Sequence, residues 1–264
     1  MYLGRRLKIY LKEPANIILL EINIMWNRPI LYFNFLLLIL LTLACYPSGP
    51  LPCYSLSPKL DPGDMLFYIS WALHKSSVGL TALLVVVSVL SWAGSIRRGW
   101  VKNILTLPVG RRTLFIAKML SVSLIPHLTF SLTHIFAQIY LFHYIYVPSL
   151  LLIMFLVALH VLYVFSISTL TSLLIKDIVG SLLLSLAILM LPSWEKLPPE
   201  FSHFKPEECY LSTFKFISLY MYSHNRKRIY LAFIKSISDI LALLIVSIIA
   251  SIFAYFYFKK MDID

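Results

Sequence analysis

Charged side chains are scarce in this sequence. They make up 13% of its 264 residues, whereas hydrophobic side chains make up 59%. A soluble domain carries about 25% charged residues, so the composition excludes an ordinary water-soluble domain. Long apolar runs with almost no charge are typical of transmembrane helices. The sequence therefore predicts an all-α integral membrane protein.

Acidic residues are the rarer charged kind, 12 against 23 lysines and arginines, which gives a formal net charge of +11. In a soluble protein this excess would favour binding to nucleic acid. Here the basic residues lie mainly at the ends of apolar runs, so attraction to anionic lipid headgroups is the simpler explanation. We predict membrane lipids, and no nucleic acid, as partners.

Motifs that carry chemistry are missing as well. The sequence contains no G-x-x-x-x-G-K-[ST] phosphate loop, no H-E-x-x-H zinc motif and no G-x-S-x-G nucleophile turn. Its seven histidines are scattered and never stand at a metal-ligand spacing with a cysteine or carboxylate. No apolar run contains paired carboxylates, which disfavours a proton-coupled carrier. We expect no catalytic activity, no metal and no directly bound cofactor.

Cysteines number only three, and all of them fall on the side of the chain predicted to face outward. A disulfide between Cys53 and Cys209 would tie two outer loops together and leave Cys45 over. Free thiols are equally compatible with the spacing. Both alternatives stay open from the sequence.

Six apolar runs follow one another along the chain and predict six transmembrane helices. The fifth run is about 22 Å long at 1.5 Å per residue, which is short for a hydrocarbon core of about 30 Å, so a re-entrant helix is an alternative there. The runs occupy residues 30–46, 78–94, part of 113–146, 149–175, 178–192 and 236–258.

Polar segments surround these runs within what we predict to be one transmembrane domain, residues 1–264. Residues 1–29 are predicted to form an interfacial amphipathic helix on the inner leaflet. Residues 193–235 are predicted to form an outer loop with possible short helices, and prolines up to Pro62 an irregular loop. Lys75 is expected near an outer helix end. The distribution of lysine and arginine indicates that both termini are cytoplasmic, in a multi-pass protein of the plasma membrane.

A basic segment, residues 97–118, lies between the second and third runs. It gathers six cations, and its apolar residues recur at helical spacing until Pro108-Val109-Gly110 ends the pattern. We predict a short amphipathic helix over residues 96–110 at the inner membrane surface. Lys118 is expected to extend back to that surface from the third run. The cations are Arg97, Arg98, Lys102, Arg111, Arg112 and Lys118.

Polar residues inside the runs are the remaining candidates for function. His127, Ser131, His134 and Gln138 recur at i, i+4, i+7 and i+11, so they share one helical face, which should point toward protein or a water-filled cavity. They form either the wall of a translocation path or a set of interhelical hydrogen bonds. His160 in the fourth run has the same two interpretations.

Asp239 stands near the start of the last run. We interpret it as a carboxylate at the membrane interface, with a paired role inside the helix bundle as the alternative.

Taken together, the basic segment resembles one found in the membrane (permease) subunit of type-2 ATP-binding-cassette (ABC) transporters of the export class. That family has an Arg-x-x-Gly pattern, a helix, a Leu-x-x-Pro-[Val]-[Ser/Gly]-Arg pattern and a later lysine. Here the matching residues are Arg97-Arg98-Gly99, Leu105-Thr106-Leu107-Pro108-Val109-Gly110-Arg111 and Lys118. Lys12-Glu13-Pro14 is similar to the family's basic start. The family commonly has an acid before the glycine, where this sequence has Arg98.

The resemblance implies a mechanism as well as a layout of six spans. Two permease subunits, identical or paralogous, would pair, and each would dock on a separate ABC ATPase subunit that binds ATP and magnesium. Residues 96–110 would be the coupling helix that transmits motion of the ATPase to the membrane path. The residues implied in coupling are Arg98, Gly99, Trp100, Ile104, Leu105, Leu107, Pro108 and Arg111.

An alternative function comes from a different class. A polytopic membrane enzyme or assembly factor that acts on a lipid or cofactor would need a buried acid or histidine constellation. His127 and His134 are the best candidates for one.

Overall fold

The computed structural model of the chain describes most of its second half and parts of its first. The residues described are 16, 17, 19, 20, 32, 36, 39, 40, 43, 44, 62–99, 101, 102, 110–142, 147–191, 199–223 and 225–261. Most of the predicted interfacial helix (residues 1–29) and of the first predicted span (residues 30–46) therefore lies outside the described part.

Every regular element in the described residues is helical, so the all-α prediction is confirmed for them. Six α-helices and one 3-10 helix follow in chain order. They are α1 Pro62–Arg97, α2 Arg111–Phe142, α3 Val147–Ile175, α4 Ile178–Met190, the 3-10 helix Pro199–Phe204, α5 Pro206–Tyr222 and α6 Arg226–Lys260.

Four of these helices are long and apolar enough to cross a membrane, which is consistent with a multi-pass membrane protein. The candidate spans are Ile69–Arg97, Arg111–Tyr140, Ser149–Ile175 and Arg226–Lys260. Helix α4 is also apolar but has only 13 residues, about 20 Å of rise, which is less than a hydrocarbon core of about 30 Å.

Helix α1 lies at the centre of the bundle and packs against α2, α3, α4 and α5, while α6 packs mainly against α3 and α5. The buried side chains of α1 run from Leu66 to Ser95 and include Trp92, which is fully buried. By contrast, large apolar side chains of α6 such as Phe253 remain 61% exposed. The bundle therefore presents α6 to lipid and encloses α1.

Helix α2 contains a proline at position 126. A proline inside a helix removes one backbone hydrogen bond and clashes with the preceding turn, so it marks a bend. Such breaks are tolerated in spanning helices where neighbours or polar groups satisfy the freed carbonyl. Helix α2 continues through this proline, which lies directly beside His127, the first member of the predicted polar face.

Two boundaries differ from the sequence prediction. Helix α1 already begins at Pro62, a residue predicted to lie in an irregular outer loop, because proline is favoured in the first turn of a helix. Residues 226–235, predicted to belong to the outer loop, are the first turns of α6. The Asn225 side chain accepts a hydrogen bond from the Arg228 N–H at 3.2 Å and so starts that helix earlier.

Candidate functional site

The ends of the basic segment are described, but its centre is not. After α1 ends, Arg98 and Gly99 form a turn in which Gly99 has a φ of 69°, a conformation that favours glycine. Val101 is buried, with 2% exposure. The predicted coupling residues Trp100, Ile104, Leu105, Leu107 and Pro108 lie outside the described residues, so the predicted helix over 96–110 stays a prediction.

Arg111 joins the far end of this segment to the last helix. Its guanidinium Nη1 donates to the carbonyl oxygens of Lys259 and Met261, both at 2.8 Å, and more weakly to that of Phe258 at 3.4 Å. The last carbonyls of a helix lack partners within the helix, and a cation there also complements the helix dipole. Arg111 therefore caps α6 and fixes the start of α2 against its end.

The near end of the segment contacts the turn between α3 and α4. Arg97 Nη1 lies 3.7 Å from Asp177 Oδ1, and both side chains are more than half exposed. Asp177 caps α4 by accepting the N–H of Gly180 at 3.0 Å. That backbone bond, followed by smaller effects that include Arg97, lowers the pKa of Asp177. The two inner turns therefore lie at the same end of the bundle.

Lys118 does not extend to the surface, so that expectation was wrong. Its side chain is 1% exposed, and its Nζ donates to Ser95 Oγ at 3.0 Å. The same ammonium lies 5.3 Å from the centre of the Trp92 ring. A hydroxyl and an aromatic face can accommodate a desolvated cation, and both are supplied by α1. The lysine thus joins α1 to α2 near the end of α1 and the start of α2.

The polar face predicted on α2 does point into the protein. Ser131, His134 and Gln138 are at most 1% exposed, and His127 is partly buried. Two of the four make interhelical bonds. Ser76 Oγ lies 3.2 Å from His134 Nε2, and Ser149 Oγ donates to Gln138 Oε1 at 3.2 Å.

Other polar atoms on this face have no hydrogen-bond partner among the described residues. They are His127 Nδ1, Ser131 Oγ and Gln138 Nε2. Buried polar groups normally find partners, and leaving one unsatisfied costs about 1–3 kcal/mol. Three such atoms along one face of one helix are compatible with a polar molecule or a file of water passing there. The face therefore retains both of its predicted roles.

His160 links three helices through both of its ring nitrogens. Its Nε2 lies 2.8 Å from Thr81 Oγ1 on α1, and its Nδ1 lies 2.8 Å from the Tyr210 hydroxyl on α5. A neutral imidazole has one donor and one acceptor nitrogen, so each ring atom pairs with a hydroxyl in the complementary role. The hydrogen-bonding interpretation of His160 is confirmed, and its two bonds connect α5 to α3 and α1.

Asp239 is paired inside the bundle, and its interpretation as an interfacial carboxylate was wrong. Its side chain is fully buried, and Oδ1 lies 2.5 Å from His203 Nδ1 on the 3-10 helix. Its other oxygen, Oδ2, has no hydrogen-bond partner in the part of the chain that the structure describes. Nothing in the sequence pattern indicates this pair, because His203 lies 36 residues earlier in a segment without helical periodicity. A buried carboxylate needs such a partner.

Cys209 is a free thiol, buried to 2% exposure on α5. Desolvation, followed by the neighbouring Asp239 charge, raises the pKa of this thiol from 9.0 to about 12. Cys53, the partner suggested for a disulfide, lies outside the described residues. For Cys209, the structure agrees with the free-thiol alternative.

No grouping of three or more His, Cys, Asp or Glu residues suited to a metal ion occurs in the described part of the chain. A comparison of the sequence with protein-family models gives no match. A comparison with curated proteins also gives none. The assignment of function must therefore rest on the geometry above and on the resemblance of the basic segment.

Proposed function

We propose that this chain is the permease subunit of an ATP-driven ABC exporter. It would have six spans, both termini in the cytoplasm and a place in the plasma membrane. The observation that carries the proposal is the anchoring of the basic segment at both ends. Arg97 contacts the α3–α4 turn and Arg111 holds the end of α6. A short segment fixed in this way can transmit a push to four helices.

The energy would enter through a partner. A separate ABC ATPase subunit would bind ATP and magnesium and receive residues 96–110 in a groove on its surface. Closure of an ATPase pair would then displace the segment and rotate the helices attached to it, a rigid-body transition between inward and outward states. The displaced segment would be attached to the helices at its two ends, by Arg98 and Gly99 at one end and by Arg111 at the other. A second permease subunit, a copy or a paralogue, would complete the path.

The cargo path in this proposal follows the polar face of α2. Its unpartnered atoms, on His127, Ser131 and Gln138, offer hydrogen bonds to a polar cargo group. The proline at position 126 provides a point about which the two halves of α2 can change their angle. No ionisable acid belongs to this face, so its chemistry suits uncharged polar or amphiphilic cargo.

Co-purification with the ATPase subunit is the direct test. We expect Leu105→Asp together with Leu107→Asp to abolish stimulated ATP hydrolysis in the complex, because charges on an apolar docking face resist burial against the ATPase. The amount of permease in the membrane should not change. Persistence of normal turnover and transport in this variant would contradict the coupling role.

Arg111 offers a second test that uses a described contact. Arg111→Gln should leave the complex assembled but reduce transport relative to ATP hydrolysis by about tenfold, because the segment loses its charged attachment to α6. Both rates are measured in reconstituted vesicles. Arg112→Gln is the matched control, since Arg112 is exposed at the adjacent position. Equal ratios of transport to hydrolysis in the two variants would count against the anchor.

A further inference from the structure

A groove of about 800 Å³ lies between α3 and α6, at the end of the bundle where both helices finish. Its wall is built mainly from aliphatic and aromatic side chains, and two lysines stand among them. The described residues that line it are Leu170, Leu174, Lys176, Phe253, Phe256, Tyr257, Lys260 and Met261. It is separate from the polar face of α2, and from the function proposed above it takes only the sidedness that places these helix ends in the cytoplasm.

The charge of the groove is entirely positive among its described lining residues. Lys176 and Lys260 are both exposed, and neither makes an ion pair within the described part of the chain. Asp177, the acid next to Lys176 in sequence, is engaged by Arg97 and by the N–H of Gly180. Two lysines that find no counter-charge among the described residues indicate that the groove attracts an anion.

The apolar side chains in the wall of the groove indicate which class of anion it would bind. Phe253 and Phe256 are 61% and 53% exposed on a helix long enough to cross a membrane, so they face acyl chains. Tyr257 lies in the last turns of α6, where amphipathic rings favour the level of the headgroups. The lysines come after this apolar wall, at the ends of α3 and α6. Along the groove, apolar side chains are followed by an aromatic ring and then by lysines. This order matches the parts of one lipid molecule from its acyl chain to its headgroup.

We propose that this groove binds an anionic phospholipid of the inner leaflet. The acyl chain would lie along Leu170, Leu174 and Phe253, and the phosphate would lie between Lys176 and Lys260. Basic pockets between spanning helices on the cytoplasmic side are suited to anionic headgroups. A bound lipid would join the α3–α4 turn to the end of α6, which Arg111 also caps.

Native mass spectrometry of the full-length protein, released from detergent with added lipid, tests this directly. The probes are phosphatidylglycerol and phosphatidylcholine with identical chains. Each lysine near an anionic headgroup contributes a factor of about five in affinity. We therefore expect wild type to prefer phosphatidylglycerol by about 30-fold, and Lys176→Gln with Lys260→Gln to lose most of that preference.

Two further variants distinguish lipid binding at the groove from a general attraction between anionic lipid and the protein's positive charge. Lys215→Gln with Lys227→Gln removes two exposed cations far from the groove and should keep the preference. Leu174→Trp fills the groove without changing charge and should lower retention of both lipids. An equal loss of preference in the two double variants would overturn the proposal. So would a change from dimer to monomer in Leu174→Trp with no change in lipid retention, because the groove would then be an interface between copies.

Discussion

Trp92→Ala should cost the folded protein about 3–5 kcal/mol, the range for truncating a large aromatic side chain in a packed interior. Trp92 has no exposed surface. Its ring centre lies 5.4 Å from that of Phe115 on α2 and 5.5 Å from that of Phe258 on α6. Alanine would leave a cavity where three helices meet.

The same substitution would also disturb Lys118, whose ammonium lies over the Trp92 ring. A buried cation is tolerated only where its surroundings replace the water that it has lost. Without the ring, the ammonium would keep Ser95 Oγ but lose one of the groups that accommodate it. The loss of stability should therefore fall at the upper end of the range.

Unfolding by sodium dodecyl sulfate in mixed micelles, followed by circular dichroism, provides the measurement. Trp71→Ala is the matched control on the same helix, because Trp71 is 45% exposed and its ring centre lies 4.7 Å from Lys75 Nζ and 6.2 Å from the His74 ring centre. We expect the control to lose about 1 kcal/mol or less. Comparable losses in the two variants would show that the three-helix junction is not packed as described.

Hydrophobic pattern predicted the helices well because each is determined locally. The fourth predicted span, residues 149–175, ends at the same residue as α3, and the fifth begins where α4 begins. Those ends coincide because Lys176 adopts a positive φ of 60° and Asp177 caps the next helix. The charged pair between the two apolar runs therefore marks, in the sequence itself, where one helix ends and the next begins.

Side-chain partners were much less predictable. The period of α2 correctly indicated that Ser131, His134 and Gln138 point inward, since a shared face follows from spacing alone. The burial of Lys118 and Asp239 did not follow, because each depends on a residue from another helix. Ser95 and Trp92 accommodate the lysine, and His203 pairs with the aspartate. Pairing across helices leaves no periodic signal in one sequence.

The same limit applies to the outer segment. The sequence predicts only an outer loop with possible short helices over residues 193–235. It did not indicate that α5 packs against both α1 and α6, with Tyr210 buried to 1% exposure. Burial raises the pKa of the Tyr210 hydroxyl well above its ordinary value of 10.0. The neutral hydroxyl is the form that can bond to His160, so α5 is fastened by a contact that only the tertiary structure creates.

Breaking that contact should loosen α5, and Cys209 reports the change. In His160→Leu, Thr81 and Tyr210 lose their bonds to the ring. Only the Tyr210 bond reaches α5, and an interhelical bond of this kind contributes about 0.6–2 kcal/mol, so we expect opening of α5 to increase by roughly 3- to 30-fold. Alkylation of Cys209 by a maleimide should accelerate by the same factor, because labelling follows the population of the open state.

The experiment is done with Cys45→Ser and Cys53→Ser, so that Cys209 is the only thiol. Its reactive form is the thiolate, and in the closed state a pKa of about 12 keeps that form rare. His127→Leu is the matched control, since His127 Nδ1 has no partner to lose. Labelling in His160→Leu should therefore exceed that in both wild type and control at pH 8. If all three react at one rate, Tyr210 and His160 do not hold α5 in place, and the apolar packing of α5 against α1 must be sufficient alone.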